Sequence, residues 1–272
     1  MKKVVLAYSG GLDTSVAVAW LREQFGVEVV TLTVDVGGGS LREGVERRAM
    51  SAGASRAYVI DARERFITDY VWPHLQANAL YQGAYPLATA LARPLIAQLL
   101  VEVARREGAD AVAHGCTGKG NDQVRFDVAV HALNPGLEVV APMRVGMGLT
   151  RDQEIDYANE RGIEIPITKS SPYSIDANLW GRSIETGVLE DPWISPPADV
   201  FHWTVDPAKA YSLYSQAYAA KKRADIAEKM VMAACRIPDA GKAKSAFAKV
   251  KDPDKRQELA DVCGGKGITL TP

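Results

Sequence analysis

The sequence predicts an α/β protein built on a doubly wound, parallel five-stranded sheet followed by a shortened, partly helical C-terminal region. Three observations predict it. Short β-branched runs alternate with helical stretches over the first 165 residues, the pattern of strands covered on both faces by crossover helices. Two glycine-bearing polar segments, residues 9–15 and 115–122, each follow a strand directly, at the sheet edge where ligands gather in such folds. Past about residue 163 the alternation stops, and an Ala/Lys-rich helical pattern takes over from residue 208.

The elements follow in order. "KVVLAY" reads as a first buried strand and "DTSVAVAWLREQF" as a helix starting at Asp13. "VEVVTLTVDV" is a second strand, rich in β-branched residues. A turn at residues 37–39 leads to the helix "SLREGVERRAMSAG", closed by Gly53. "RAYVID" is the third strand. Helices are expected from Ala62 to about Leu80 and from about Leu87 to Gly108. "ADAVAHG" and "LEVVAP" are the fourth and fifth strands, with a helix around Val124 to Ala132 between them. Residues 163–207, rich in Pro, Ser, Asp and Trp, read as a long structured loop region. The helices beyond are broken at "RIPDAG" and "KDPD".

Composition narrows the class. With 272 residues, 47% hydrophobic and 24% charged, the chain can bury a real core. The net charge of −1 exerts no general pull on nucleic acid, so none is expected as a partner. The last 66 residues are the basic part, with 13 Lys and Arg against 7 Asp and Glu, read as solvated helix faces. No run approaches the roughly 20 apolar residues of a membrane span, and the first apolar run is too short for a signal peptide. Cys116, Cys235 and Cys263 are odd in number and widely spaced, which predicts reduced thiols, a cytoplasmic location and no cysteine-based metal site.

The turn "SGGLDTS" has the chemistry of an anion cradle. Gly10 and Gly11 let backbone approach a ligand, and the helix that follows offers unpaired N–H groups and the positive end of its dipole. Ser9, Thr14 and Ser15 add hydroxyls, while Asp13 either caps the helix or sits near a phosphate-bound cation. Neither a Walker A spacing nor a dinucleotide fingerprint occurs.

The septet resembles the PP-loop of N-type ATP pyrophosphatases. With "AYSGGLDTS", "YPLATALARPLIA", "HGCTGKGNDQVRF" and "SPYSIDANLWGRSIETGVLEDPW" in this order, the chain resembles the argininosuccinate synthase family from residue 1 to about 206. The resemblance implies a ligase of arginine biosynthesis that joins citrulline and aspartate. Citrulline's ureido oxygen attacks the α-phosphorus of ATP, pyrophosphate leaves, and the aspartate amine then displaces AMP. It implies ATP with Mg²⁺, no membrane partner, and a PP-loop nucleotide-binding domain over residues 1–165. Residues 166–206 would begin the synthetase-type substrate region, and 207–272 would form an atypical basic helical tail.

Site residues follow from the same resemblance. ATP is assigned Ala7, Tyr8, Ser9, Gly10, Gly11, Leu12, Asp13, Thr14, Ser15, Val34 and Gly115. Aspartate is assigned Thr117, Asn121 and Asp122; citrulline is assigned Tyr85, Asn121, Arg125, Ser174 and Ser183. Asp13, Asp122 and Arg125 would carry the catalytic electrostatics, Asp122 holding the aspartate ammonium or helping remove its proton. By residue type alone, Arg125 suits a two-pronged bond to a carboxylate. Ala90 stands where many members have a citrulline-side serine. Cys116 is rejected as a nucleophile because the ligation needs none, and His114 is read as a backbone-bonding histidine or a phosphate contact. No metal ligand is assigned to the protein.

After residue 206 the resemblance ends, and with it the glutamate, tyrosine and tetramer-forming arm that the family carries further on. A homo-oligomer therefore lacks its usual arm. Three readings stay open: a synthase with a short tail, a truncated or chimeric ATP-binding protein with little citrulline turnover, and an adenylating enzyme for another carbonyl substrate. Near-normal ATP binding with weak citrulline binding is the expectation.

Overall fold

The computed structural model describes residues 1–38, 44–83, 85–118, 120–165, 173–191, 193–194, 196–197, 207–220, 222–237 and 239–271. Residues 39–43, which include the expected start of the second helix, lie outside them. The chain divides into two compact units, Met1–Glu190 and Asp191–Pro272.

The first unit is the expected sheet. Strands β1 (Lys3–Ala7), β2 (Glu28–Asp35), β3 (Arg56–Asp61), β4 (Ala111–His114) and β5 (Glu138–Val140) pair in the order β3-β2-β1-β4-β5, all parallel. The reversal of strand order beside β1 makes its carboxyl end, next to that of β4, the switch point of the fold.

Alternation along β1 sends successive side chains to opposite faces, and each face has its own core. Val4 and Leu6 pack with helices α1 (Leu12–Phe25), α2 (Val45–Ser51) and α8 (Arg151–Glu160). Val5 packs with α5 (Ala88–Glu107) and α6 (Asp122–Leu133) on the other side. Fully burying aliphatic side chains such as Leu6, Leu95 and Leu100 stabilises the fold by about 1.5–3 kcal/mol each. Helix α1 starts at Leu12, one residue before the expected Asp13, and α8 opens on a capping box between Thr150 and Gln153.

Two expectations need correction here. The helix expected from Ala62 to about Leu80 is three short pieces: α3 (Arg63–Phe66), a π-helical turn Ile67–Val71, and α4 (Trp72–Gln76) with a proline in its first turn. Apolar spacing gives no sign of the i→i+5 bonding that widens the middle turn. The stretch read as loop contains an antiparallel hairpin, β6 (Ser174–Asn178) with β7 (Gly181–Glu185), followed by a 3₁₀ turn Gly187–Glu190. Its Ser, Asp, Asn, Gly and Arg content hid the period-two signal. A short helix α7 (Pro142–Val145) follows β5.

The second unit is helical: α9 (Pro207–Ala220), α10 (Ala224–Ala234), α11 (Ala240–Phe247) and α12 (Pro253–Gly264). Both expected breakers act as helix starts. Asp239 accepts from the N–H of Lys242, and Asp252 from those of Asp254 and Lys255, with Pro253 at the first helical position. Its core holds Met230, Val231, Phe247 and Leu259.

Here the cysteine expectation fails. Cys235 and Cys263, 28 residues apart, form a disulfide with their Cα atoms 5.2 Å apart, and Cys116 stays a free thiol. Spacing in sequence carried no hint, because helix packing brings the pair together. Cysteine usage therefore no longer argues for a reducing compartment. Among the described residues no helix is long and apolar enough to cross a membrane.

Candidate functional site: two turns and a hairpin at the switch point

The first turn, residues 9–15, joins β1 to α1. Gly10 has a φ of +72°, and a Cβ there would lie 3.0 Å from Val45 Cγ2 and 3.3 Å from an Arg48 guanidinium nitrogen. Gly10 is thus required by the fold itself. Gly11 is the N-cap residue at an ordinary φ of −85°, and no side chain caps the helix. Its own N–H donates to Ser9 Oγ at 3.3 Å. The first N–H groups of α1 have no partners within the helix and face the turn, with the positive dipole end behind them.

The hydroxyls divide. Ser9 Oγ, exposed, shares a hydrogen bond of 3.1 Å with Thr14 Oγ1. Ser15 is fully buried and bonds the Tyr8 hydroxyl at 2.8 Å, so the donor expected to reach a ligand is committed inward. Tyr8 is fastened to β2, its N–H donating to Leu32 O at 2.8 Å and its carbonyl accepting from Thr33 Oγ1 at 2.9 Å. Val34 lies half-buried near the end of that strand, and Ala7 pairs with His114 across the β1–β4 ladder.

Asp13 is exposed in the first turn of α1 and makes no cap bond, which corrects the capping alternative. Behind it sits a residue the sequence did not flag. Glu154, in the first turn of α8, is 3% exposed, and burial together with the neighbouring Asp13 carboxylate raises its carboxyl to about 8. Among the described residues no group of three or more His, Cys, Asp or Glu is arranged to hold a metal ion.

The second turn runs from β4 into α6. His114 is 1% exposed; its Nδ1 accepts the Cys116 N–H at 3.2 Å, and its Nε2 donates to Asp127 at 3.1 Å. It also stacks on Phe126, with ring centroids 5.1 Å apart. Burial lowers its basicity despite Asp127, so it is a neutral residue that shapes the turn. Gly115 lies against the first turn, since a Cβ there would meet Thr14 Cγ2 at 3.0 Å. Gln123 donates to Gly118 O at 2.7 Å, and Arg144 bridges Gln123 and Asp127 at 3.0 and 2.8 Å. Thr117 and Asn121 are exposed at this edge. Burial pushes the Cys116 thiol up to about 11, which disfavours the thiolate a nucleophile would need.

Asp122 is not the helix cap; that position is Asn121. Its two carboxylate oxygens accept from different arginines, Oδ1 from Arg125 at 2.6 Å and Oδ2 from Arg93 at 2.7 Å. Arg93 also donates to Asp176 of β6. Neither Arg93 nor Asp176 was picked out from sequence, although both lie in the blocks that carry the family resemblance.

The hairpin seats on the start of α5 and the end of β2. Asn178, fully buried, donates to Ala88 O at 2.8 Å; Trp180 Nε1 donates to Pro86 O at 2.8 Å; Leu179 N–H donates to Val36 O at 3.0 Å. Gly38, at φ +90°, makes way for the Asn178 backbone. Ser174 and Ser183 ride on this hairpin. Tyr85 is exposed just before α5, its hydroxyl 3.3 Å from Thr89 Oγ1. The β1 turn, the β4 turn and the hairpin thus meet around the switch point.

Two family models match the chain. Residues 3–164 match the family described as arginosuccinate synthase N-terminal HUP domain, and residues 173–216 match the arginosuccinate synthase C-terminal domain, ten residues past the limit expected from sequence. The chain is 58% identical over 210 residues to argininosuccinate synthase of Symbiobacterium thermophilum, covering 77% of this chain and 52% of that one. With the Oceanobacillus iheyensis enzyme it is 57% identical over 209 residues, covering 77% and 50%. It therefore spans about half the length of the curated relatives it matches. Among solved structures, similarity to a predicted tRNA methyltransferase subunit from Methanocaldococcus jannaschii (TM-score 0.37, 16% identity, 59% of this chain and 77% of that one) is too slight to carry an argument. With residues 3–164 matched to the family's N-terminal domain and the hairpin lying within the match to its C-terminal one, the chain belongs to the argininosuccinate synthase family.

Proposed function

We propose that this chain binds ATP at the β1 turn, adenylates the ureido oxygen of citrulline, and transfers the citrullyl group to the amine of aspartate. The observation that carries the reading is the meeting of three pieces at one switch point: an uncapped helix start, an Asp122 held between two guanidinium groups, and a hairpin bearing two serines.

Each piece has a task. The β- and γ-phosphates rest on the amides of residues 10–15, where developing pyrophosphate charge meets fixed donors and the α1 dipole. The dipole alone contributes about 0.3–1 kcal/mol, up to about 2 when partly buried, so the preorganised amides supply most of the stabilisation. Mg²⁺ would neutralise phosphate charge beside Asp13. Thr117 and Asn121 hold aspartate, and Asp122 anchors its ammonium through lone pairs that the arginines leave over. Arg125, with one N–H on Asp122, presents the rest of its fork to the citrulline carboxylate beside Tyr85, Ser174 and Ser183. Holding both amino acids against one α-phosphorus makes each displacement effectively unimolecular.

Two experiments test this. Citrulline-dependent pyrophosphate release is expected without aspartate, and argininosuccinate only with it. An oxygen label in the ureido group is expected to appear in AMP; ADP as the stoichiometric product would overturn the reading. A nucleotide-binding domain within residues 1–165, a substrate region from 166 and a helical tail from 207 belong to the same proposal, as do a cytoplasmic location and a homo-oligomer. Cell fractionation and light scattering test the last two.

A further inference from the structure

Arg93 is assigned to no substrate above, yet among the described residues it is the side chain that joins the two amino-acid halves of the site. It projects from α5 and is about four-fifths buried at its side chain, with 19% exposed. Nε donates to Asp122 at 2.7 Å and a terminal nitrogen donates to Asp176. Asp122 belongs to α6 and Asp176 to β6, so one planar fork spans three elements far apart in sequence.

The hairpin register says what this fork controls. Ser174 pairs with Glu185, Asp176 with Ser183, and Asn178 with Gly181. Directly paired residues share a face, as do residues two apart on one strand. Ser174, Asp176, Asn178 and Ser183 therefore lie on one face, with Ile175, Ala177, Arg182 and Ile184 on the other. The first face is the one that looks at α5, because Asn178 bonds Ala88 O and Asp176 bonds Arg93. Ser183 stands directly across the ladder from the very carboxylate that Arg93 holds.

We propose that Arg93 is a positioning residue that locks the serine-bearing face of the hairpin to Asp122, so that the citrulline side and the aspartate side are set by one guanidinium. The proposal rests on the reading of Ser174, Ser183 and Asp122 as substrate contacts. A lysine could not replace the fork, since a point charge with no fixed plane does not present two N–H groups at this spacing. The coupling runs through groups in contact, the situation in which effects of substitutions cease to add.

Asp176→Ala is the informative variant. It removes the hairpin end of the bridge while Asp122, Arg125 and both serines are kept, at a side chain 32% exposed, and a melting curve verifies that the variant is folded. In the ligand-free chain, ¹⁵N–¹H spectra are expected to show shifts at the Arg93 Nε–H and at the amides of residues 121–125. Shifts confined to the hairpin, residues 173–186, overturn the proposal whether or not any amino acid binds. In titrations with ATP and citrulline present, aspartate affinity is expected to fall about fivefold in Asp176→Ala and in Arg93→Met, and to fall no further in the double variant. Arg93→Lys is expected to recover only part of the loss, and ATP affinity is expected to stay constant throughout. Additive losses, or an equal loss of ATP affinity, mean that Arg93 only supports the fold, and the coupling is then refuted. A wild-type chain that binds neither amino acid refutes the functional reading instead, and the spectra still decide the bridge.

Discussion

The turns after β1 and β4 lie side by side at the same sheet edge, both lead from a strand into a helix, and they are built by opposite means. The β1 turn is made of backbone: Gly10 in the left-handed region, Gly11 as an N-cap without a capping side chain, and hydroxyls that mostly bond each other. The β4 turn is made of side chains: His114, Gln123, Asp127 and Arg144 shape it, and Arg93, Asp122 and Arg125 charge it. Backbone amides suit a ligand of many equivalent oxygens, such as polyphosphate, because they supply a fixed concave array of donors. Side-chain networks suit amino acids, where one ammonium and one carboxylate must be told apart by sign.

The sharpest way to break the comparison is to add a Cβ to the first turn. Gly11→Val is expected to lower ATP affinity at least about a hundredfold, roughly 2.8 kcal/mol, read by calorimetry, against a stability loss of only about 1 kcal/mol from the poorer N-cap. Gly11 has an ordinary φ, so valine meets no left-handed backbone strain there. Gly10→Val is expected to lose binding and also about 1–3 kcal/mol of stability, because of its left-handed φ and the contacts with Val45 and Arg48.

A change of charge should do to the second turn what bulk does to the first. Asp122→Asn keeps the shape, and aspartate affinity is expected to fall about tenfold to a hundredfold, the loss of a charged hydrogen bond of about 1.5–3 kcal/mol. ATP affinity should not move. A parallel loss of ATP binding would mean that the two turns act as one site.

Glu154 adds a pH dependence behind the first turn. Its folded value near 8 lies above the ordinary 4.5, so the folded chain binds the proton more tightly. That stabilisation is fully present below about pH 4.5 and is lost as pH rises through about 8. Glu154→Gln should melt like the parent at pH 5 and be more stable at pH 9, by on the order of 1–3 kcal/mol. A constant difference across that range would remove the carboxyl from consideration. The smallest effect is expected at Cys116. Cys116→Ala should change turnover by no more than about twofold, since the thiol is held protonated and the ligation uses no enzyme nucleophile.

What could be read from sequence is what local rules enforce. Buried parallel strands need continuous apolar runs, and a phosphate cradle needs small residues at a strand end; both leave marks within ten residues of each other. The five strands, α5 and the two turns were legible for that reason, as were the breaks at "RIPDAG" and "KDPD", whose role as helix starts the structure added. Tertiary structure decided the rest, where the partners are distant. The Arg93 bridge joins residues 29 and 83 positions away. The Asp13–Glu154 pair comes together only when α8 packs on α1, and Ser15 bonds inward to the Tyr8 hydroxyl. The hairpin escaped notice because polar residues facing α5 replace the usual apolar alternation, and the Cys235–Cys263 bond because only helix packing brings its ends together. Hydrophobic period and turn chemistry are properties of a segment, whereas charge pairing, burial of an acid and a disulfide are properties of which segments meet.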